Sequence, residues 1–270
     1  MKKNLIFFVE LMIIITMISS CSSMYIPSMP NIPLLREKGE MQVDVGTSTN
    51  SIHLSGDYAF SDQYALQVNG NLSYHNFSQR YDIFTDDNTA RTGEMFTPDY
   101  DYGEFNHRYV EVGIGKYDML KSNWKLELFT GVGCGSGFEN VGDINSQYYL
   151  GFVQGNIGRK LKRHNFEFGF ASRIAFSNFD LSYLDYTSKE KRNISFDNLH
   201  FEPAAFFRVG SQSIRFYGKA GLDLFDSFGS FDGINLARGI KHESINFTSV
   251  HLSIGVNYKF DEESIHRMFD

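Results

Sequence analysis

The groups of this chain that could do chemistry are acidic and basic side chains at alternate positions of long, partly apolar segments. Alternate positions of an extended strand face the same side, so these groups would share one face. Buried charges are costly unless they pair, and we therefore expect these acids and bases to neutralise one another. The set consists of Asp44, Asp57, Glu111, Glu127, Glu167, Arg173, Glu202, Arg208, Arg215, Lys219, His251 and Lys259, and the uncharged Gln154 is expected on the same face.

Two roles fit such a set of charges. A salt-bridged network would fill the interior and hold the fold rigid, whereas a proton or ion path would move charge along it. We favour the filled interior, because wide aqueous channels need larger barrels than a chain of 270 residues with ten strands can build.

The sequence contains no strong catalytic motif. No motif links the acidic residues and histidines of the predicted loops, and no Ser–His signature stands out. The glycine-rich run 131–137 lacks the Lys-Ser or Lys-Thr that follows a phosphate loop. We therefore expect no enzyme, no catalytic residue, no metal and no cofactor. The candidates for a hydrolase at the loop rim would be Asp86, Asp87, Asp99, Asp101, His107 and His242.

The amino-acid composition favours β-strands and argues against a nucleic-acid-binding protein. The chain has 26 Phe, 15 Tyr and 24 Gly but only 5 Pro, a balance typical of β structure. Its formal net charge of -7 is unsuited to a phosphate backbone. The two cysteines are Cys21 and Cys134, and the N-terminal pattern accounts for the first, so we expect no disulfide and no cysteine metal site.

A period of two runs through the chain from Glu40 onward. In 108–117, for example, Val110 and Val112 alternate with Glu111 and Gly113, which gives one apolar and one polar or glycine face. The pattern predicts an all-β fold of ten antiparallel strands. We place them near 41–48, 51–61, 64–84, 105–120, 124–139, 146–161, 164–186, 199–211, 213–228 and 244–260.

The connections alternate between tight turns and long polar loops near 85–104, 140–146, 187–198 and 229–243. This asymmetry is typical of an up-and-down outer-membrane barrel, in which the apolar faces meet lipid and the polar faces fill the lumen. An even strand number puts both ends of the barrel on the short-turn, periplasmic side. A soluble barrel would also show period two, but strands longer than ten residues favour the membrane.

The N-terminus has the features of an export signal. Lys2 and Lys3 precede an apolar segment, and Ile18-Ser19-Ser20-Cys21 resembles the lipobox of bacterial lipoproteins, with Cys21 as the lipid attachment site. An ordinary signal peptide or a retained anchor helix is the alternative. We therefore divide the chain into a lipoprotein signal peptide (1–20), an extended, unfolded periplasmic tether (21–39), the barrel (40–260) and a tail (261–270).

Short motifs support a resemblance. Tyr25-Ile26-Pro27, Pro33-Leu34-Leu35 and Glu37-Lys38-Gly39-Glu40 are similar to the opening of lipid-anchored outer-membrane barrel proteins common in the Bacteroidota. Gln154, Arg173 and the pair Glu202-Pro203 look like further features of that family, and the resemblance places them at the centre of the interior network. Most functions in the family are unassigned.

The expected function is thus an outer-membrane barrel lipoprotein with a structural or surface-binding role and a narrow, charge-filled lumen. A small pore or ligand-binding barrel is the alternative, and a rim hydrolase comes third. Expected partners are outer-membrane lipid, the barrel assembly and lipoprotein export machineries, and a surface ligand bound through the loops. The loop aromatics that would form such a surface are Phe84, Phe96, Tyr100, Tyr102, Phe196, Phe228 and Phe231.

Overall fold

A computed structural model describes most of the chain from Met29 to Phe260. Nine stretches are described: 29–48, 51–80, 100–120, 123–139, 143–161, 165–185, 190–211, 213–227 and 249–260. The signal peptide, Cys21 and the tail therefore lie outside the described residues. No helix in the described stretches is long and apolar enough to cross a membrane.

Ten antiparallel strands, each paired with its neighbours in the chain, close into one barrel through the pairing of the first with the last. The prediction of a ten-stranded up-and-down barrel is confirmed. The strands are β1 Met41–Ser48, β2 Ile52–Ala59, β3 Tyr64–Arg80, β4 Tyr100–Met119, β5 Trp124–Glu139, β6 Ile144–Leu161, β7 Phe166–Asp185, β8 Glu190–Gly210, β9 Ile214–Ser227 and β10 Ser249–Phe260.

The connections at one end of the barrel are all tight, and this short-turn end also holds the start of β1 and the end of β10. Asn123 and Asn165 close two of these turns with positive φ angles of 64° and 47°. Asparagine tolerates this left-handed backbone better than most residues do, because its side chain hydrogen-bonds locally. At the opposite, long-connection end, residues 81–99 and 228–248 join the strands.

Two loops are shorter than the sequence pattern predicts. β6 begins at Ile144 and β8 at Glu190, so residues 144–146 of the first expected loop and 190–198 of the second belong to strands. Both faces of β8 are polar near its start, where Lys191, Arg192 and Asn193 are exposed, and this hides the alternation. β4 likewise begins before the predicted position, at Tyr100, whereas β3 ends earlier, at Arg80.

The distribution of side chains is the reverse of that in a soluble barrel. Outward residues are large and apolar, such as Phe170, which is 62% exposed, and Ile174, which is 54% exposed. Arg173, between them in sequence, faces inward and is 0% exposed. The exterior is therefore an apolar band, and the interior is polar.

The interior also contains part of the N-terminal segment. Residues 29–35 are all buried inside the barrel, and Ile32, Leu34 and Leu35 are fully buried. The expectation of an unfolded periplasmic tether over 21–39 is therefore wrong for these residues. The segment has no regular secondary structure, because closely spaced prolines remove hydrogen-bond donors, but its carbonyls are bonded by interior side chains.

Glycines on the inner face of β5 make room for aromatic rings. A Cβ at Gly133 would collide with the ring of Tyr109, and one at Gly135 would collide with the ring of Tyr148. Phe152 occupies the corresponding space beside Gly131. The glycine-rich run of β5 is thus explained by close packing in a narrow lumen.

Candidate functional site

The interior near the short-turn end is organised around the carboxylate of Glu167. Three cations approach it: Lys125 Nζ at 3.4 Å, Arg208 Nη1 at 3.5 Å and Arg215 Nη1 at 2.9 Å. β7 supplies the acid, and β5, β8 and β9 supply the bases, so the group ties four strands together. We call these four residues the lower network.

Asp44 on β1 extends this network across the seam where the barrel closes. It lies 3.4 Å from Lys219 Nζ and 3.7 Å from Arg208 Nη2, and Asn257 donates a hydrogen bond to it. At the mouth, Lys259 Nζ lies 2.9 Å from Glu40 Oε2. The first and last strands, β1 and β10, are therefore joined by side-chain contacts as well as by backbone pairing.

The N-terminal segment is held by side chains that point into the lumen. Arg208 donates to the carbonyls of Ile32 and Pro33, the latter at 3.1 Å, and Lys125 donates to the carbonyl of Leu34. The backbone N–H of Leu35 donates to Glu127 Oε1 at 2.7 Å. Arg208 and Lys125 thus have a second role, since they satisfy buried backbone carbonyls of an element that has no sheet partner.

Farther along, Asn31 anchors the segment in three directions. Its carbonyl accepts hydrogen bonds from Gln154 Nε2 at 2.5 Å and from Asn156 Nδ2 at 3.3 Å. Its own amide donates to Asp57 Oδ1 at 2.7 Å. Followed back toward the N-terminus, the described segment runs away from the short-turn end as far as Met29.

A second network surrounds Arg173, which is fully buried. Its guanidinium lies 2.9 Å from Glu111 Oε2 and donates from Nε to Glu202 Oε2 at 2.5 Å. Asn69 and Tyr109 also donate to Glu111. Arg173 thus bridges β4 and β8 through their carboxylates.

A third polar group lies beside Glu202. His200 Nε2 is 2.9 Å from Ser177 Oγ, and His200 Nδ1 is 3.3 Å from both carboxylate oxygens of Asp223. Ser177, His200 and Asp223 follow the order of nucleophile, base and acid in a hydrolase. However, Ser177 and His200 are 0% exposed and Asp223 is 3% exposed, so the described structure offers a substrate no route to the hydroxyl.

Twelve of the thirteen residues predicted for the shared polar face are buried inside the barrel, and Lys259 lies at its mouth. Ion pairs join most of the acids and bases, whereas Asp57, Glu127 and Gln154 bind the N-terminal segment. His251 lines a small cavity together with Glu202. Sequence reasoning missed Lys125, Ser177, His200 and Asp223, although each lies at an inward position of its strand.

The rim candidates are only partly described. Asp86, Asp87, Asp99 and His242 lie outside the described residues, and Asp101 is within β4. His107 is buried, and its Nε2 lies 2.7 Å from the hydroxyl of Tyr148.

The loop aromatics divide in the same way. Phe84, Phe96, Phe228 and Phe231 lie outside the described residues, whereas Tyr100 and Tyr102 belong to β4. Phe196, expected in a loop, belongs to β8 and stacks on Phe179 with ring centroids 5.2 Å apart. Phe196 is therefore part of the packed interior.

A closed antiparallel barrel with an apolar exterior and a polar, packed interior defines a transmembrane β-barrel. No protein-family model matches the sequence, and no curated protein matches it. The crystal structure of CarO from Acinetobacter baumannii is similar at 12% identity and a TM-score of 0.30, covering 83% of this chain and 98% of that one. OmpT, an outer membrane protein of Vibrio cholerae, is similar at 10% identity and a TM-score of 0.18, covering 82% of this chain and 96% of that one. The distribution of apolar and polar side chains in this chain is what defines it as a transmembrane β-barrel.

The lipid-facing surface gives a first testable prediction. Ile174→Arg places a charge in the middle of the apolar band and should lower the free energy of unfolding by about 2–4 kcal/mol. Val209→Arg, next to the short-turn end, is the matched control and should cost about 0–1 kcal/mol. Urea unfolding in phospholipid vesicles measures both, and equal costs for the two variants would contradict a lipid-facing exterior.

Proposed function

We propose that the protein is an outer-membrane lipoprotein whose barrel is sealed by its own N-terminal segment and has a structural or surface-binding role. The observation that carries this proposal is the position of residues 29–35 inside the lumen. A barrel of ten strands has a narrow interior, and here a peptide segment and long paired side chains occupy it. This arrangement favours a rigid scaffold over an open pore.

Insertion in the outer membrane with the short turns in the periplasm is part of the proposal. The apolar exterior and the difference in length between the two sets of connections support it. The barrel assembly machinery would insert such a chain, and the loops at the long-connection end would carry any surface ligand. We further propose that the protein is not an enzyme, since the Ser177 hydroxyl is enclosed.

Lipidation at Cys21 rests on the lipobox pattern. Lipidation predicts that the wild-type protein carries acyl chains and sediments with the outer membrane, whereas the Cys21→Ala variant carries no acyl chains. The measurement is mass spectrometry of the N-terminal peptide together with membrane fractionation. Heat-modifiability on a gel provides the control, because the folded barrel of the variant should still change mobility only on boiling.

Planar-bilayer recording tests the sealed lumen. The purified full chain should insert without producing conductance steps, because the segment and the paired charges leave no continuous water path. Insertion must be verified independently, by protease protection in vesicles made from the same preparation. Regular conductance steps from the intact chain would favour the small pore and overturn the proposal.

A small pore is the second candidate, and one observation favours it. The side chains that hold the segment are charged or polar, as the wall of a water-filled channel would be. Displacement of residues 29–35 would therefore expose a hydrated surface, and the segment would then act as a plug.

A further inference from the structure

Three possible metal ligands meet inside the barrel. One donor atom each from His200, Glu202 and Asp223 can be chosen so that all three lie within 4.8 Å of one another. They come from the adjacent strands β8 and β9, and all are buried. No sequence motif predicts this cluster, since a gap of more than twenty residues separates Asp223 from the other two.

The closest pair already has the spacing of two ligands on one ion. Zinc binds imidazole nitrogen and carboxylate oxygen at about 2.0–2.2 Å, so two ligands of a tetrahedral site lie about 3.3–3.5 Å apart. His200 Nδ1 lies 3.3 Å from each oxygen of Asp223. One donor atom of Glu202 lies within 4.8 Å of both.

The contacts around His200 resemble the outer shell of a metal site. A metal-binding histidine usually uses its second ring nitrogen to hydrogen-bond a neighbouring acceptor, which fixes the ring. His200 Nε2 lies 2.9 Å from Ser177 Oγ, and Nδ1 then faces the carboxylates. The same burial that keeps a substrate from Ser177 does not hinder an ion bound during folding.

The charged side chains that contact one another around these three residues favour the binding of a cation. Glu111, Glu202 and Asp223 supply three carboxylates, Arg173 supplies one guanidinium, and His200 supplies an imidazole that is neutral when it binds a metal. Within the described part of the chain, no Lys or Arg lies within ion-pair distance of Asp223. A divalent ion would balance this excess of negative charge, which is costly in a buried site.

A small cavity lies beside Glu202, and an unpartnered amide lies close in sequence to His200. A cavity of about 10 Å³, close to the size of one water molecule, is lined by Glu202 and His251. The amide of Asn198, two residues before His200 on the same strand face, is buried, and neither its nitrogen nor its oxygen has a hydrogen-bond partner within the described structure.

We propose that His200, Glu202 and Asp223 bind one divalent transition metal ion of the zinc type. Imidazole and carboxylate together suit zinc, and the absence of thiolate argues against softer ions. The site is structural, since it joins β8 to β9 inside a closed lumen. It is independent of the proposed function.

Zinc content after refolding tests the proposal. The full-length protein, purified with a tag that contains no histidine, is unfolded in urea with a chelator and refolded in detergent with zinc chloride. After dialysis, elemental analysis should find about one zinc per chain, and the thermal unfolding temperature should exceed that of protein refolded in chelator. His200→Ala should bind no zinc, whereas the control His107→Ala, another buried histidine of the lumen, should bind as much as wild type.

A second variant keeps the test decisive if His200→Ala does not fold. Ser177→Ala should fold and bind zinc about tenfold more weakly, because the imidazole loses the hydrogen bond that orients it. Wild-type protein that retains no zinc would overturn the proposal and would mean that protons balance the carboxylates. Equal zinc affinity of wild type and Ser177→Ala in a competition titration against a chelator, or zinc bound by His200→Ala, would also overturn it.

Discussion

Arg208→Met should lower the free energy of unfolding by about 3–5 kcal/mol, the usual cost of removing one partner from a buried ion pair. Arg208 is fully buried and lies 3.5 Å from Glu167 and 3.7 Å from Asp44. It also donates to the carbonyls of Ile32 and Pro33. Its loss leaves two carboxylates less well paired and two buried carbonyls without their donor.

Urea unfolding in phospholipid vesicles would measure this cost, with the fluorescence of Trp124, the single tryptophan, as the signal. Lys191→Met is the matched control. Lys191 Nζ lies 3.5 Å from Asp143 Oδ2, and the two side chains are 55% and 50% exposed, so this pair should contribute less than about 1 kcal/mol. A cost at Arg208 as small as that at Lys191 would mean that Arg208 does not hold the segment in the lumen.

Replacing residues 29–35 with a glycine–serine sequence of equal length should have the second large effect. The replacement removes the side chains of Ile32, Leu34 and Leu35, all fully buried, and frees the segment to leave the lumen. Each lost hydrogen bond to a charged group costs about 1.5–3 kcal/mol, so the barrel should be less stable by several kcal/mol. Water should then enter the lumen, and the variant should conduct ions.

The control for this variant is a glycine–serine replacement of residues 22–28, which leaves the described contacts intact. That protein, like the wild type, should produce no conductance steps in planar bilayers. If the 29–35 variant folds by heat-modifiability and is also silent, the interior side chains alone seal the barrel. The segment would then be a structural element rather than a plug.

The sequence predicted the barrel because lipid imposes a strict rule on each strand. Every second residue must be apolar, as Val110 and Val112 are, so the alternation survives even where the intervening residues are glycine or glutamate. The rule weakens beyond the membrane, where both faces of a strand meet water. The start of β8 at Glu190 lies in such a region, and the pattern there resembles a loop.

The interior was harder to predict than the fold. Strand parity placed Glu167 and Arg208 inside but could not show that Arg208 also binds the carbonyls of Ile32 and Pro33. A proline-rich segment has no periodicity, so nothing in 29–35 distinguishes a tether from a buried peptide. His200 and Asp223 meet only because β8 pairs with β9, and pairing register is a property of the folded chain.

Disulfide trapping of the N-terminal segment tests the central claim most directly. A Cβ at Gly158 would touch the side chain of Leu34, so Leu34→Cys with Gly158→Cys should form a disulfide in a Cys134→Ser background. Leu34→Cys with Gly151→Cys, which faces outward, is the control and should not. For the first pair only, we predict that the unfolded chain changes its mobility on a gel without reductant. Reduction should abolish this change. No cross-link in folded, membrane-inserted protein would show that the segment does not lie in the lumen.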